Sequence, residues 1–237
     1  MAALPLSCVL AWGRFLGRLF YLVAVKQRCR ALMELRRCFP EFSSAQIRQT
    51  AWGVFENMGL NFVEVFRWIG GKDKELMGRV AVEGTEHMQE AFRRGRGAAV
   101  LTAHLGNWDL MGLWAAAAGY PLTIISKDLR SKGLNEFWME ARKKWGVKIV
   151  PAHNSYRDCL RVLKNNECLG FILDQNMTRE EGIFVDFFGK PACTTPGLAV
   201  LSAHAEAPVV PVYIVRTETG HRVKFLPPLE PPTDRKP

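Results

Sequence analysis

The sequence lacks the marks of several common protein classes. Its six cysteines form no Cys-x-x-Cys pair and their spacings match no zinc module, so a small zinc-binding domain is not predicted. A chain of 237 residues can build a core without disulfide bonds, and we interpret the cysteines as reduced thiols in a cytosolic setting. No low-complexity or collagen-like segment is present, and the apolar share of 48% predicts a packed globular core.

A long uncharged apolar run is also missing from the N-terminal region. Its longest uncharged run, residues 1–13, is short for a bilayer span, and Arg14 and Arg18 interrupt the apolar residues 4–25 on one helical face. No basic segment precedes this run and no small-residue cleavage site follows it, so a secretory signal is not predicted. We expect an amphipathic helix lying in a membrane interface. The alternatives are a tilted or truncated span and a helix packed on the protein itself.

Acidic residues are few relative to basic ones. There are 23 of them against 32 lysines and arginines, and a net charge of +9 favours partners that carry phosphate. Residues 1–50 hold eight basic and two acidic residues, and the basic ones stand beside Leu, Val, Phe and Trp rather than Gly and Ser. This mixture predicts an anionic membrane surface as a partner. No aromatic–basic motif typical of nucleic-acid binding occurs, so nucleic acid is not expected as a partner.

The periodicity of apolar residues divides the chain into two regions and a tail. Residues 1–90 are predicted to be a helical, membrane-associated region, with a break at residues 39–44 and a helix ending at Gly70 and Gly71. Residues 91–226 are predicted to be an α/β domain with a mostly parallel sheet flanked by helices. Predicted strands cover 98–103, 122–125, 147–150, 169–173 and 209–215, and predicted helices cover 109–118, 135–144, 156–164 and 197–205. The proline-rich residues 227–237 are predicted to be a tail.

His104 and Asp109 are the strongest candidates for catalysis. His104 follows a predicted strand, Gly106 and Asn107 form a turn, and Asp109 opens a helix, so both side chains can converge at the carboxyl end of the strand. Such a pair can activate a hydroxyl or amine as general base, with the carboxylate fixing the imidazole tautomer. The spacing alone leaves open that Asp109 caps the helix and that His104 is structural.

Several blocks together resemble a known family. Residues 103–109, Ala-His-Leu-Gly-Asn-Trp-Asp, resemble the His-x4-Asp motif of the glycerolipid and lysophospholipid acyltransferase superfamily, and most closely the branch of bacterial lipid A lauroyl and myristoyl acyltransferases. The likeness covers nearly the whole chain, although the Trp- and Arg-rich C-terminal segment of that branch is not among the 237 residues. The further matching blocks are Arg142, residues 170–175, residues 187–197 and residues 207–212.

The resemblance implies acyl transfer from a thioester to a hydroxyl of a lipid A precursor or related glycolipid, at the cytoplasmic face of an inner membrane. The implied donor is acyl carrier protein or acyl-CoA, and no metal, cofactor or covalent acyl-enzyme is implied. His104 would take the hydroxyl proton and Asp109 would orient and stabilise the imidazolium. Backbone amides of Leu105, Gly106 and Asn107 would stabilise the oxyanion.

Seven further residues are predicted to bind substrate: Asn107, Arg142, Asp174, Gln175, Thr194, Thr195 and Gly197. Arg142 is predicted to bind a substrate phosphate, because a guanidinium binds phosphate with two hydrogen bonds. Asp174 is predicted to position Arg142 or substrate, with a structural salt bridge as the alternative. Thr194, Thr195 and Gly197 precede a predicted helix and can hold a phosphate there or simply cap the helix.

Two other functions stay open at this stage. The first is acylation of another lipid acceptor, such as a lysophospholipid, a phosphoinositide mannoside or an aminolipid. The second is a catalytically idle membrane-binding homologue, against which the presence of both His104 and Asp109 weighs.

Overall fold

A computed structural model describes residues 3–127 and 131–232, so residues 233–237 of the predicted tail lie outside the described part. The chain forms two compact units. Unit 1 comprises Met1–Gly78 and Asp186–Lys190, and unit 2 comprises Arg79–Val185 and Pro191–Pro237. All six cysteines fall within the described residues and are free thiols.

Unit 1 is built mainly from helices. α3 begins with a capping box, in which Ser43 Oγ accepts a hydrogen bond from the Gln46 amide and the Gln46 side chain accepts one from the Ser43 amide. The π-helical turn that follows α3 is interrupted at Gly71, where φ is 87°. The elements are α1 (Leu6–Val23), α2 (Val25–Cys38), α3 (Ser44–Arg67), the π-helical turn (Trp68–Lys72) and α4 (Asp73–Met77).

Glycines allow α1 and α3 to approach until their backbones touch. A Cβ atom on Gly59 would lie 2.1 Å from the carbonyl oxygen of Gly13, and a Cβ on Gly17 would lie 2.4 Å from the carbonyl oxygen of Phe55. These distances are far inside van der Waals contact. Only hydrogen atoms fit between the two helices at these points, so the helix pair depends on glycine at positions 13, 17 and 59.

Polar contacts also hold α1 on its neighbours. Arg18 forms an ion pair with Glu56 of α3. At the other end, the buried Arg67 donates a hydrogen bond of 2.8 Å to the Leu4 carbonyl and pairs with Glu75 at 2.8 Å. α1 is long and apolar enough to cross a membrane by length and composition, and only 17% of it is buried within the protein. Its apolar surface therefore faces outward while its glycine side is bound to α3.

Unit 2 contains a seven-stranded sheet in the order β1-β9-β8-β2-β5-β3-β4. All neighbouring strands run parallel except β8 and β9, and helices flank the sheet. The strands are β1 (Val80–Glu83), β2 (Ala98–Thr102), β3 (Leu122–Ser126), β4 (Lys148–Pro151), β5 (Cys168–Ile172), β8 (Val209–Arg216) and β9 (His221–Phe225). The helices are α5 (Thr85–Arg93), α6 (Trp108–Ala117), α7 (Lys132–Lys144), α8 (Tyr156–Lys164) and α9 (Gly197–Ala205). A separate hairpin, β6 (Ile183–Phe187) and β7 (Lys190–Thr194), has its tip in unit 1.

The predicted fold class is confirmed: the sheet is mostly parallel and flanked by helices. Three elements differ from the prediction. β1 lies inside residues 1–90, which were predicted to be helical, because Val80–Glu83 pairs with β9 along its whole length. β9 and the β6–β7 hairpin were not predicted. Polar residues alternate through β9, and the hairpin loop Phe188-Gly189 lacks the Asn-Gly or Asp-Gly signal typical of two-residue turns.

Replacing Gly59 with Ala is expected to destabilise unit 1, because the new methyl group would collide with the α1 backbone. Overpacking of this kind costs about 1–3 kcal/mol of unfolding free energy. Gly53 is the matched control, since it lies in the same helix with no atom within 4 Å of an added Cβ. Gly53→Ala is expected to gain about 0.5–1 kcal/mol from helix propensity. Urea unfolding of both variants measures the difference, and equal stabilities would contradict the close helix contact.

Candidate active site

A tight turn joins β2 to α6 and carries the predicted catalytic histidine. Gly106 adopts φ of 59°, and a Cβ there would lie 2.1 Å from the Ile214 carbonyl oxygen of β8. The turn thus rests directly on the neighbouring strand, and only glycine fits. Asn107 precedes the helix, and its buried Oδ1 accepts a hydrogen bond of 3.1 Å from the Leu110 amide. This cap fixes where α6 begins.

His104 makes two hydrogen bonds to Asp174. Its backbone amide donates to Asp174 Oδ2 at 2.8 Å, and its Nδ1 lies 2.7 Å from Asp174 Oδ1. Because a carboxylate only accepts hydrogen bonds, the neutral form of the ring carries its proton on Nδ1 and presents the lone pair of Nε2. Nε2 has no hydrogen-bond partner among residues 3–127 and 131–232. The rings of His104 and Trp108 pack edge to face, with their centroids 4.9 Å apart.

The sheet order brings His104 and Asp174 together. β2 and β5 are parallel neighbours in which Thr102 lies beside Ile172, and the Leu173 amide donates to the Thr102 carbonyl. His104 and Asp174 each stand two residues beyond that pair. They therefore leave the same edge of the sheet at the same level, where open α/β sheets place their ligands.

Asp109 has a different partner from the one predicted. It was expected to orient His104, but its Oδ1 accepts a hydrogen bond of 2.7 Å from Arg142 Nη2, and Asp174 occupies the Nδ1 side of the imidazole. Arg142 Nη1 also donates to Ser126 Oγ at 3.3 Å. Arg142 and Asp109 side chains are 18% and 21% exposed, so the ion pair is partly shielded from water. It ties the first turn of α6 to the last turn of α7.

The remaining predicted residues fall into two groups. Gln175 is exposed and lines the cavity described next. The other side chains are already engaged by the protein. Thr194 Oγ1 donates to the Leu173 carbonyl at 3.3 Å, and Thr195 Oγ1 accepts from the Gly197 amide at 3.1 Å. Thr195 Oγ1 thus engages the first amide of α9, and the phosphate-binding role of Thr194, Thr195 and Gly197 stays a prediction. The Asn107 side chain, predicted to bind substrate, is 1% exposed and caps α6.

A cavity of about 770 Å³ opens beside His104. Its size falls in the range of small-molecule and cofactor pockets. Six of the nine predicted site residues line it: His104, Asp109, Arg142, Gln175, Thr195 and Gly197. These polar groups share one cavity with His104, and most of the lining surface is apolar.

The cavity follows the face of the sheet beneath α6. Strand register places Val100, Gly170 and Ile124 side by side across three strands, and all three line the cavity. The next row down holds Cys168 and Leu122, which line it as well. Side chains in one row of a parallel sheet point to the same face, so these residues form one continuous floor.

The floor is deep and uncharged. Cys168 is level with Ala98, four residues before the end of β2 at Thr102, which corresponds to about 13 Å at 3.3 Å per residue. Burial raises the pKa of the Cys168 thiol to about 12, and burial likewise raises the pKa of Tyr120, another lining residue. Both groups are therefore neutral near pH 7. Gly112 lies in the helix above, and a Cβ there would meet only Leu122 Cδ2, at 3.9 Å.

One lining group was not identified from the sequence. Thr102 Oγ1 is buried and has no hydrogen-bond partner in the described structure. Thr102 lines the cavity and stands two residues before His104. A buried hydroxyl without a partner is unfavourable for folding, so this atom is available to a ligand or a water molecule. Nothing in the local sequence distinguishes it from other strand threonines.

Comparison with known proteins assigns the chain to a family. Residues 1–235 match the family described as bacterial lipid A biosynthesis acyltransferase. The match includes the blocks on which the resemblance noted from the sequence was based, and that resemblance is confirmed.

Individual relatives carry two kinds of name. A lipid A biosynthesis acyltransferase of Haemophilus influenzae is 28% identical over 202 residues, covering 83% of this chain and 62% of the relative. A phosphatidylinositol mannoside acyltransferase of Mycobacterium tuberculosis is 27% identical over 164 residues, covering 67% and 52%. The lipid A biosynthesis myristoyltransferase of Escherichia coli is 23% identical over 222 residues, covering 94% and 67%. The chain thus spans about half to two thirds of the length of these relatives.

Asp174→Asn is expected to reverse the tautomer of His104. An asparagine amide can donate to Nδ1, which would move the ring proton to Nε2, whereas the carboxylate of Asp174 requires the opposite arrangement. Nitrogen NMR of labelled histidine, at a pH where His104 is neutral, distinguishes the two tautomers. Asp109→Asn is the matched control and is expected to leave the His104 signals unchanged. Identical spectra for Asp174→Asn and the wild-type protein would contradict this pairing.

Proposed function

Because the chain belongs to the bacterial lipid A biosynthesis acyltransferase family, we propose that it transfers a fatty acyl group from a thioester to a hydroxyl of a membrane glycolipid. The observation that carries the proposal is the position of His104: its Nε2 is unengaged among the described residues, at the side of a deep and largely apolar cavity. A base and an acyl-binding space are the two elements that this reaction requires.

In the proposed reaction, Nε2 of His104 takes the proton of the acceptor hydroxyl as its oxygen attacks the thioester carbonyl. The tetrahedral intermediate then expels the thiolate, which receives the proton from the imidazolium. The new ester bond forms as the thioester bond breaks, and the imidazole returns to its starting state. A single histidine therefore serves first as base and then as acid, and no covalent acyl-enzyme is needed.

Asp174 and Asp109 have separate roles in this proposal. Asp174 holds the tautomer of His104 and stabilises the imidazolium, because its carboxylate accepts from Nδ1 and from the backbone amide. Asp109 holds Arg142 beside the cavity through its ion pair. The guanidinium there can bind a phosphate on the acceptor or on the donor.

The cavity is proposed to hold the acyl chain. The part of its floor that follows β2 is about 13 Å long, close to the roughly 15 Å that one acyl layer occupies in a bilayer with a hydrocarbon core of about 30 Å. The residues of this floor are uncharged, so a hydrocarbon chain can bind against them without burying a charge. Gly112 and Gly170 leave room above and below the chain.

The donor and acceptor are proposed from the relatives. Acyl carrier protein is the proposed donor, with acyl-CoA as the alternative, and a hydroxyl of a lipid A precursor is the proposed acceptor, as the names of the Haemophilus and Escherichia relatives suggest. A phosphatidylinositol mannoside is the second candidate acceptor, because the Mycobacterium relatives carry that name. Both are glycolipids with a phosphate, which is consistent with the role proposed for Arg142.

The proposed location is the cytoplasmic face of the inner membrane, with α1 as the docking element. α1 exposes Trp12, Phe15 and Phe20, while its other side is bound to α3 through glycines and through Arg18 and Glu56. A helix with one side held by the protein and an apolar side outward suits the membrane interface.

His104→Ala is expected to reduce acyl transfer by about 100- to 10,000-fold, the usual contribution of a general base. The assay supplies acyl carrier protein and coenzyme A thioesters with a panel of lipid A precursors and phosphatidylinositol mannosides. His87→Ala is the matched control, since His87 lies on α5 and outside the cavity lining. Transfer by wild type alone identifies the acceptor. Near-normal turnover by a folded His104→Ala protein would refute the mechanism, and no transfer by the wild type would favour an idle homologue.

Gly112→Leu is expected to shift the donor preference toward shorter acyl chains. The added side chain would extend into the cavity, because only Leu122 Cδ2 lies within 4 Å of its first carbon. Each methylene that no longer fits is expected to lower kcat/KM about tenfold or more. Gly133→Leu is the control, as Gly133 is exposed on α7 with nothing within 4 Å. A chain-length profile identical to that of wild type would place the acyl chain elsewhere.

A further inference from the structure

The β6–β7 hairpin is exposed to an unusual degree for its composition. All five residues of β6 are exposed, and they include Ile183, Phe184 and Phe187. The exposed fractions of Phe184 and Phe187 are 56% and 55%. Because successive strand residues point to opposite faces, apolar side chains project from both sides of the hairpin. Neither the sheet nor the active site described above uses these side chains.

The turn of the hairpin holds a strained phenylalanine. Phe188 and Gly189 form a two-residue loop with φ of 54° and 66°. Such loops favour Asn, Asp or Gly, because a bulky side chain with positive φ is strained. Phe188 nevertheless occupies the position and remains 50% exposed. A residue that costs folding energy and stays half in solvent points to a contact made outside the chain.

Within unit 1 this turn extends a group of phenylalanines. The rings of Phe187 and Phe188 lie 4.7 Å apart, and Phe188 lies 5.2 Å from Phe39. Phe39 in turn stacks on Phe42 at 4.9 Å, in the break between α2 and α3. We call these four residues the phenylalanine cluster. It joins two sequence blocks, residues 39–42 and 187–188, that the catalytic site leaves unexplained.

We propose that the phenylalanine cluster inserts into the acyl layer of an anionic bilayer, as a second membrane contact beside the one proposed for α1. A protein partner could cover one face of a narrow hairpin, but lipid surrounds a tip from all sides, and this hairpin is apolar on both faces. The positive charge of helices in unit 1 is also consistent with an anionic bilayer as the occupant. Helices α1 and α2 hold seven basic residues and one acidic residue, which suits anionic headgroups.

The proposal is tested by binding to vesicles of phosphatidylglycerol and phosphatidylethanolamine. The double substitution Phe187→Ser with Phe188→Asn removes both rings at the tip, and asparagine suits the left-handed conformation at 188, so the fold is retained. The vesicle partition coefficient is expected to fall about tenfold or more for each ring removed from lipid. Phe137→Ser on α7 is the matched control, since Phe137 is an exposed phenylalanine outside the cluster and is expected to leave binding unchanged.

Two further measurements distinguish this proposal from membrane binding by α1 alone and from binding of a protein partner. Trp12→Ser with Phe15→Ser tests α1 alone, so a loss there combined with normal binding of the hairpin variant would overturn only the hairpin proposal. Hydrogen exchange of the wild-type protein is expected to show vesicle-induced protection of residues 183–190. Protection by acyl carrier protein but not by vesicles would identify a protein partner instead and overturn the proposal. Neither measurement uses acyl transfer, so the proposed function stands or falls separately.

Discussion

The two hydrogen bonds between Asp174 and His104 are the contacts on which the proposed chemistry depends. One carboxylate fixes both the backbone and the side chain of His104, so the position of the residue and the tautomer of its ring are set together. This is possible only because β2 and β5 are parallel neighbours in register. The register depends in turn on the apolar faces of both strands, since a slip of one residue would move the side chains of the slipped strand to the opposite face of the sheet. The core of the sheet and the tautomer of the imidazole are thus connected.

The ion pair of Asp109 and Arg142 performs a different task at the same edge. It joins α6 to α7, and the hydroxyl of Ser126 at the end of β3 accepts a further hydrogen bond from the guanidinium. Because the pair is about four fifths buried, removing one member would leave the other charge poorly solvated. The two carboxylates near His104 therefore separate into one that orients the imidazole and one that holds a cation beside the cavity.

The sequence alone was sufficient for much of this description. Short apolar runs located β2, β3, β4, β5 and β8, and several matching blocks, including the one around His104, identified the family, as the comparison confirms. The sequence was not sufficient to identify the carboxylate that pairs with His104. Asp109 is five residues away and Asp174 is seventy, and only the order of strands decides which carboxylate reaches Nδ1. Strand order results from long-range pairing, which a local pattern does not encode. The hairpin escaped notice for a different reason: its two-residue loop, Phe188-Gly189, lacks the Asn-Gly or Asp-Gly signal typical of such turns. Its phenylalanine cluster joins residues 39–42 to residues 187–188, which no local pattern predicts.

The turn that carries His104 is held from both sides. On one side, Asp174, which follows β5, accepts a hydrogen bond from the His104 amide. On the other side, Gly106 lies directly against the Ile214 carbonyl of β8. β5 and β8 are the two strands that flank β2. A base mounted in this way has little reorganisation to undergo as charge develops on it. It also has no freedom to travel toward a substrate. In the proposed reaction, alignment of the reacting oxygen therefore depends on how the acceptor lipid and the membrane surface deliver it to a stationary base.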